Sequence, residues 1–451
     1  MLKRSESPAH SRLPGSRPDL EWLWVFVVAL ALRVAYAWMA TGPQGQPYSD
    51  PIDYDTLAWN LARGAGFSLG NGAGTYPTAF RPPALPWITS LLYAAMGHRY
   101  FAAVLLQCVI GACVPLLVRA FGTAMFGGAV GRLGAWIAAV HPLLIFFSGY
   151  LLTEPLFCAL MLLALLASAS WVKTPRPGRA FRAGLAWGLT SLARPTSLML
   201  PGLILLWAWV PLGLTIAPRD RVRQMLLLLL GLGLTVGPWT VRNALVLHAF
   251  VPVTTGGGVV LYVGNNAGVW ADPARRGSAG SDEWTALAAG EFRGLSEHEA
   301  DVRARARAMA FLREHARELP AMAAAKLARF WRISAEGGGT GSWQRPGSPL
   351  GAVLGRVDPL RLWSLVILPL AAWGAFLCFR GTRRWFQTLS VWVILYFTVL
   401  GMVFFGSLRM RVPIEPLVAL LAAVGLDDVR RRLTSRARGL RVVEGTREAG
   451  R

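Results

Sequence analysis

The chain has 451 residues, 54% hydrophobic and 16% charged, with 19 tryptophans and a formal net charge of +22. This composition excludes a string of soluble domains and places the chain among polytopic membrane proteins. The positive charge would suggest nucleic acid in a soluble protein, but here it falls between apolar runs, where membrane topology explains it.

In chain order, the runs Trp22–Ala40, Phe101–Val118, Ala129–Phe147, Leu151–Val172, Ser197–Leu214, Met225–Val241, Leu362–Phe379, Trp385–Phe405 and Val412–Leu426 are each about long enough to cross hydrocarbon. The shorter Phe181–Leu192 is read as one more crossing, and Ala84–Met96 as too short to cross. Keeping Ala84–Met96 outside puts the basic clusters at Lys3–Arg17, Arg119–Arg132, Lys173–Arg182, Arg219–Arg223, Arg380–Arg384 and from Arg430 onward on one side, as the positive-inside rule requires. The expectation is an all-α polytopic bundle of about ten transmembrane helices with both termini in the cytoplasm. A basic lead and small residues at Ala35–Ala40 also outline a cleavable signal, but its removal would invert the placement of every later basic loop.

This leaves Ser49–Tyr100, Gly149–Glu154, the surroundings of Arg194, Asn243–Arg361 and Gly406–Arg411 outside, where they should build one site. The chain divides into a membrane module over 1–243 with a first outer loop at 42–100, an outer region over 244–360, C-terminal membrane helices over 361–427 and a basic tail over 428–451. Cys108, Cys113, Cys158 and Cys378 lie in apolar runs as small hydrophobes, so no disulfide framework or thiolate metal site is expected. The six histidines show no metal-ligand spacing. In the outer region, Gly256-Gly257-Gly258 and Gly264-Asn265-Asn266 read as turns, and no Lys-Ser or Lys-Thr helix follows to make a nucleotide loop. Glu297–Ile333 is helical in pattern; its stripe of Val302, Met309, Leu312, Ala316 and Leu319 suits a helix in the headgroup layer, either a cap over the site or a solvated helix. No internal repeat of the kind expected in a secondary transporter is found.

The candidate chemistry rests on two residue types. Arg81, Arg194, Arg242, Arg409 and Arg411 fall near outer span ends, where topology gives no reason to concentrate cations. Arginines at this depth usually face a cavity or an anion, and a lipid phosphate can be gripped bidentately. Snorkelling explains any one of them more easily than all five; Arg33, inside the first span, reads as snorkelling or structural. The other half is a carboxylate, since an acceptor hydroxyl must lose its proton as it attacks an anomeric carbon. In a helix Asp50 and Asp53 share a face and Asp55 does not. Asp50 precedes Pro51 as at a helix start, so capping and catalysis both stay open for it. Glu154 is the sole carboxylate between Phe101 and Val172 and is a functional candidate on that ground.

The ordered set Asp50-Pro51-Ile52-Asp53-Tyr54, Gly64-Ala65-Gly66-Phe67, Arg81-Pro82-Pro83, Thr153-Glu154, Leu192-Ala193-Arg194-Pro195, Pro238-Trp239-Thr240-Val241-Arg242-Asn243, Gly264-Asn265-Asn266 and Arg409-Met410-Arg411-Val412-Pro413 carries a family resemblance. It resembles bacterial GT-C glycosyltransferases related to dolichyl-phosphate-mannose protein mannosyltransferases and lipid A aminoarabinose transferases, the family 39 group. The resemblance implies a GT-C-like bundle with short interfacial helices in its outer loops. It also implies inverting transfer of a sugar from a polyprenyl-phosphate donor to an envelope lipid, glycan or protein at the periplasmic face of a bacterial inner membrane. In such relatives the first outer loop typically carries Asp-Glu-x-x-Tyr; Asp50 and Tyr54 match, while Pro51 stands at the Glu position and leaves Asp53 or Glu154 to supply the second charge. A Lys or Arg before paired prolines contacts the donor phosphate there, and Arg81 matches.

Asp50, Asp53 and Glu154 are thus the catalytic candidates and the five arginines the phosphate candidates, with Tyr54, Asn265 and Asn266 as substrate-binding candidates. No cofactor is expected: the leaving group is a monophosphate that arginines can neutralise, although metal use differs across GT-C enzymes. A lipid-linked sugar flippase would share the arginines without needing the aligned acids, and a non-catalytic scaffold of a polysaccharide machine would fit the Pro51 departure. The sequence names neither sugar, acceptor nor polyprenol length.

Overall fold

The structure is a computed structural model that describes residues 20–279, 292–333, 358–380 and 385–448. The basic residues Lys3–Arg17, His10, Arg383 and Arg384 lie outside the described residues, as do the side chains beyond Ser435. The chain begins with α1 (Glu21–Ala40) and α2 (Asp50–Ala62), then a hairpin of β1 (Ser68–Leu69) antiparallel to β2 (Tyr76–Pro77), α3 (Ala84–Met96) and α4 (Tyr100–Phe126). It continues through α5 (Gly128–Ala139), α6 (Pro142–Ser148), α7 (Thr153–Lys173), α8 (Pro177–Ala193), α9 (Leu200–Gly213) and α10 (Pro218–Leu247). Next come α11 (Gly257–Val263), α12 (Ala267–Ala271), α13 (Glu297–Glu314) and α14 (Leu319–Phe330). The chain closes with α15 (Pro359–Phe379), α16 (Leu389–Val403), α17 (Leu408–Arg411) and α18 (Glu415–Glu448).

Among the described residues seven helical segments are long and apolar enough to cross a membrane: Glu21–Ala40, Tyr100–Phe126, Thr153–Lys173, Pro195–Gly213, Pro218–Leu247, Pro359–Phe379 and Trp385–Val403. The pair α5–α6, bent by 54°, makes an eighth if it is one span. The other two expected crossings exist as helices but fall short of that measure. Of these, α8 has 17 residues with Arg179 and Arg182 near its start, and α18 is apolar only in its first part. Both are nonetheless packed into the bundle. Gly184 and Gly188 bring α8 against α10, where a Cβ would meet the Leu228 carbonyl or Thr235, and Gly374 lets α15 approach the Leu421 carbonyl of α18. In contrast, α3 has 13 residues and so a length of about 20 Å, well short of the ~30 Å hydrocarbon core.

Of the two roles expected for Arg33, the structure shows the structural one: it is fully buried and donates to the carbonyls of Ala29 and Ala139, each at 3.0 Å. Ala139 ends α5 beside the Pro142 break, so Arg33 satisfies a carbonyl at the point where the helix stops. Part of the glycine run is not a turn, because Gly257–Val263 forms α11. Its cap comes from another element: Asp301 of α13 accepts from the backbone N–H groups of Gly258 at 2.6 Å and Val259 at 3.1 Å. The Glu297–Ile333 segment is two helices joined by a 3₁₀ turn at Ala316–Glu318. Its buried face in α13 is Asp301, Ala304, Ala308 and Phe311, while Val302, Met309 and Leu319 of the expected stripe are exposed.

Candidate active site

Five elements bring charged groups together at one end of the bundle. Asp50 is the first residue of α2, where Pro51 fits because an N–H at that position would have no helical partner. The first turn also carries Asp53 on the same face. Arg81 precedes α3 and is held by the loop before it. Asn60 donates to the carbonyls of Ser68 at 2.7 Å and Gly70 at 3.1 Å, which fixes the hairpin on α2. Arg242 of α10 donates to the carbonyls of Phe67 at 2.9 Å and Thr78 at 2.6 Å. Glu297 of α13 accepts from the Thr78 hydroxyl at 2.5 Å, from the Ala79 N–H at 3.1 Å and from the Thr255 hydroxyl.

The Arg81 guanidinium then lies 5.5 Å from the centre of the buried Tyr54 ring and 4.7 Å from that of Phe80. Its Nε donates to Asp53 at 2.9 Å, and its Nη2 reaches Asp50 at 2.5 Å and Asp53 at 2.8 Å. The other oxygen of Asp50 accepts from Nη1 of Arg409 in α17. Arg409 also gives its Nε to Glu154, the second residue of α7, at 2.5 Å, and Arg194 at the end of α8 approaches the same Glu154 oxygen at 3.4 Å. Carboxylates and arginines therefore alternate as Asp53, Arg81, Asp50, Arg409, Glu154, Arg194. Among its carboxylates the Asp53 side chain is 29% exposed and that of Glu154 0%.

Both oxygens of Asp50 are engaged by arginines, so its side chain serves the cluster and not the helix it begins. Burial alone would raise the Asp50 pKa; Arg409 and Arg81 overcome it and hold the carboxyl below the usual carboxylate range. Burial likewise works against the charge of Arg81 and Arg409, and the facing carboxylates push both guanidinium pKa values above the ordinary one.

The remaining sequence candidates sit elsewhere. Arg242 is committed to the backbone of the first loop. Arg411, two residues from Arg409, turns the other way, donating to Glu415 at 2.5 Å and to the carbonyl of Arg332 at 2.7 Å; Glu415 in turn meets His141 at 3.0 Å. Asn265 and Asn266 are buried. Asn265 donates to the carbonyls of Leu261 at 2.7 Å and Val403 at 3.1 Å, while Asn266 caps α12 by accepting from the Val269 N–H at 3.0 Å.

Three further groups, none of them among the site candidates, shape the surroundings. Asp55, on the far face of α2, accepts from the Tyr93 hydroxyl at 2.5 Å and meets His98 at 2.9 Å, and His98 stacks on Trp59 with centroids 4.8 Å apart. This ties α2 to α3 and to the turn into α4. Glu297 anchors the loop before Arg81, and nothing local in the sequence marks it for that role. Lys326 is 3% exposed and donates to Asn265 at 2.5 Å and to the Val403 carbonyl at 3.1 Å; burial lowers its pKa to about 8. A lone lysine in the apolar stretch of α14 was the available signal.

A sequence profile described as dolichyl-phosphate-mannose-protein mannosyltransferase matches residues 80–239, about a third of the chain that includes Arg81, Glu154 and Arg194. No curated protein matches the chain in sequence. Among solved structures, the archaeal oligosaccharyltransferase AglB from Archaeoglobus fulgidus, in complex with an inhibitory peptide and a dolichol-phosphate, matches with a TM-score of 0.57 at 13% identity, over 92% of this chain and 51% of that one. The chain is an all-α membrane bundle with seven to eight long apolar helices among the described residues, consistent with a GT-C-like fold. The Archaeoglobus fulgidus oligosaccharyltransferase tethered with an acceptor peptide containing the NVT sequon gives the same TM-score of 0.57, at 12% identity over 92% of this chain and 50% of that one. The chain therefore spans about half the length of these oligosaccharyltransferases. ArnT from Cupriavidus metallidurans bound to undecaprenyl phosphate matches at a TM-score of 0.41 and 15% identity, over 92% of this chain and 78% of that one, a score that does not equate the two folds.

Proposed function

We propose that this protein is a membrane glycosyltransferase that moves a sugar from a polyprenyl-phosphate donor to a hydroxyl of an envelope lipid, glycan or protein, with inversion at the anomeric carbon. The observation that carries the reading is the alternating series from Asp53 to Arg194, which sets a base candidate between two arginines at the end of a membrane bundle. The mannosyltransferase profile over 80–239 and the GT-C-like fold support it.

In the reaction the acceptor oxygen attacks the anomeric carbon from the side opposite the phosphate. The new carbon–oxygen bond forms as the carbon–phosphate-oxygen bond breaks, and its electron pair leaves with the phosphate. Asp50 takes the hydroxyl proton. Arg81 and Arg409 stabilise the charge on the departing polyprenyl phosphate, as preorganised cations do best where water is sparse. Glu154 holds Arg409 and Arg194 in place, and Arg242 and Arg411 support the frame. The arginines supply the charge that neutralises the leaving group without a metal.

The site faces the periplasm of a bacterial inner membrane, and the chain crosses ten times. A comparison of cells with and without this chain, by mass spectrometry of lipids and envelope glycans, tests the activity: the sugar-charged polyprenyl phosphate accumulates and one glycoconjugate loses that sugar. Unchanged donor and glycoconjugate pools contradict it. Orientation is tested by thiol labelling of intact cells. Asn71→Cys and Thr174→Cys both place a thiol at an exposed position, whereas Ser68 is only 3% exposed and unsuited. Asn71→Cys reacts with an impermeant reagent and Thr174→Cys does not; the reverse pattern puts the site on the cytoplasmic side.

A further inference from the structure

We propose that Asp50 and Asp53 occupy, in the donor-free protein, the guanidinium positions that the donor phosphate takes, so that donor binding and release of Asp50 to the acceptor are one exchange. This rests on the reading of the site as a lipid-phosphate-sugar transferase. It adds a role for Asp53, which holds Arg81 until the phosphate arrives.

Several observations converge on it. The Nε and Nη2 edge of Arg81, the fork suited to a pair of phosphate oxygens, is filled by Asp53 and Asp50 at 2.5–2.9 Å. Carboxylates and arginines in the series balance, Asp50, Asp53 and Glu154 against Arg81, Arg194 and Arg409. A phosphate entering without moving a carboxylate would bring uncompensated negative charge into a partly desolvated site.

The site is also built so that the carboxylates move and the arginines stay. Arg81 rests over the rings of Tyr54 and Phe80, and Arg409 keeps its Nε bond to the fully buried Glu154 whatever its Nη1 holds. Asp53 and Asp50 are the more exposed carboxylates, at 29% and 23%. Asp50 as held between two guanidiniums is a weak proton acceptor, because they stabilise its ionised form. Transfer of those guanidiniums to the phosphate removes that stabilisation and restores its basicity next to the acceptor. The base is thereby available only when a donor is present.

The test is binding of geranyl phosphate to the purified full-length chain in detergent, read by calorimetry, with geraniol and inorganic phosphate in parallel. Wild type binds geranyl phosphate more tightly than either control. Asp53→Asn binds it about tenfold more tightly than wild type, since a charge-assisted competitor for Arg81 is gone, and Asp53→Glu returns towards wild type. A merely structural Asp53 predicts equal or weaker binding in Asp53→Asn, and that result overturns the exchange. The wild-type chain gives a second measurement free of folding effects: carbodiimide-directed amide labelling of Asp50 and Asp53, mapped by mass spectrometry, rises when geranyl phosphate is bound. Unchanged labelling overturns the exchange too. Failure of wild type to prefer geranyl phosphate over geraniol instead removes the lipid-phosphate reading beneath it.

Discussion

Asp50→Asn is expected to lower turnover by about 10²–10⁴-fold, the usual effect of removing a general base, while the protein still folds and still binds donor. The change is nearly isosteric and the Asp50 side chain is 23% exposed, so the bundle loses little packing. The asparagine oxygen still accepts from one of the two arginines, whereas the proposed proton acceptor is gone. Asp53→Asn, which keeps Asp50, retains measurable turnover. Glu154→Gln behaves differently again: Glu154 is fully buried between Arg409 and Arg194, and removing its charge weakens both pairs in the least solvated part of the series, so the loss falls on stability as well as rate. Near-normal turnover in Asp50→Asn together with loss in Asp53→Asn would move the base to Asp53.

The second large effect is at Arg81. Arg81→Ala removes the cation proposed to meet the departing phosphate, a contact worth roughly 3 kcal/mol or about 10²-fold in rate, and it leaves Asp50 and Asp53 facing each other without their shared partner. Arg81→Lys recovers part of the rate, because charge survives and the two-pronged fork does not. The informative quantity is turnover of folded protein at limiting donor. Arg242→Ala provides the contrast. Its guanidinium holds the carbonyls of Phe67 and Thr78, so its loss lowers thermal stability more than donor use. Equal rates for wild type and Arg81→Ala at limiting donor would remove Arg81 from phosphate binding and shift that role to Arg409 and Arg194.

Much of the bundle is legible in the sequence because hydrocarbon imposes length and apolarity on a span, and seven of the expected runs meet that measure as continuous helical segments. Asp50, Arg81 and Glu154 could be singled out for a related reason: each is a charge at a helix start or a proline boundary beside an apolar run. What the sequence hides is direction. Arg409 and Arg411 look equivalent in Arg-Met-Arg, yet residues two apart on a helix point to different sides, so one joins Asp50 and the other Glu415. Distant caps are hidden as well. The glycines at 256–258 read as a turn because the group that starts α11 is Asp301, supplied by another helix. Nor does the sequence show that the side chains of Asn265 and Asn266 bond helix ends and loops that only the folded chain brings together.

The most direct measurement is product analysis with purified protein in lipid nanodiscs, supplied with a sugar-charged polyprenyl phosphate and a glycan-bearing lipid fraction from the native envelope. The account predicts release of free polyprenyl phosphate in step with a new glycosidic bond of inverted anomeric configuration, both lost in Asp50→Asn. Donor that stays intact in wild type under these conditions, or that crosses a vesicle bilayer without cleavage of its sugar–phosphate bond, would contradict it.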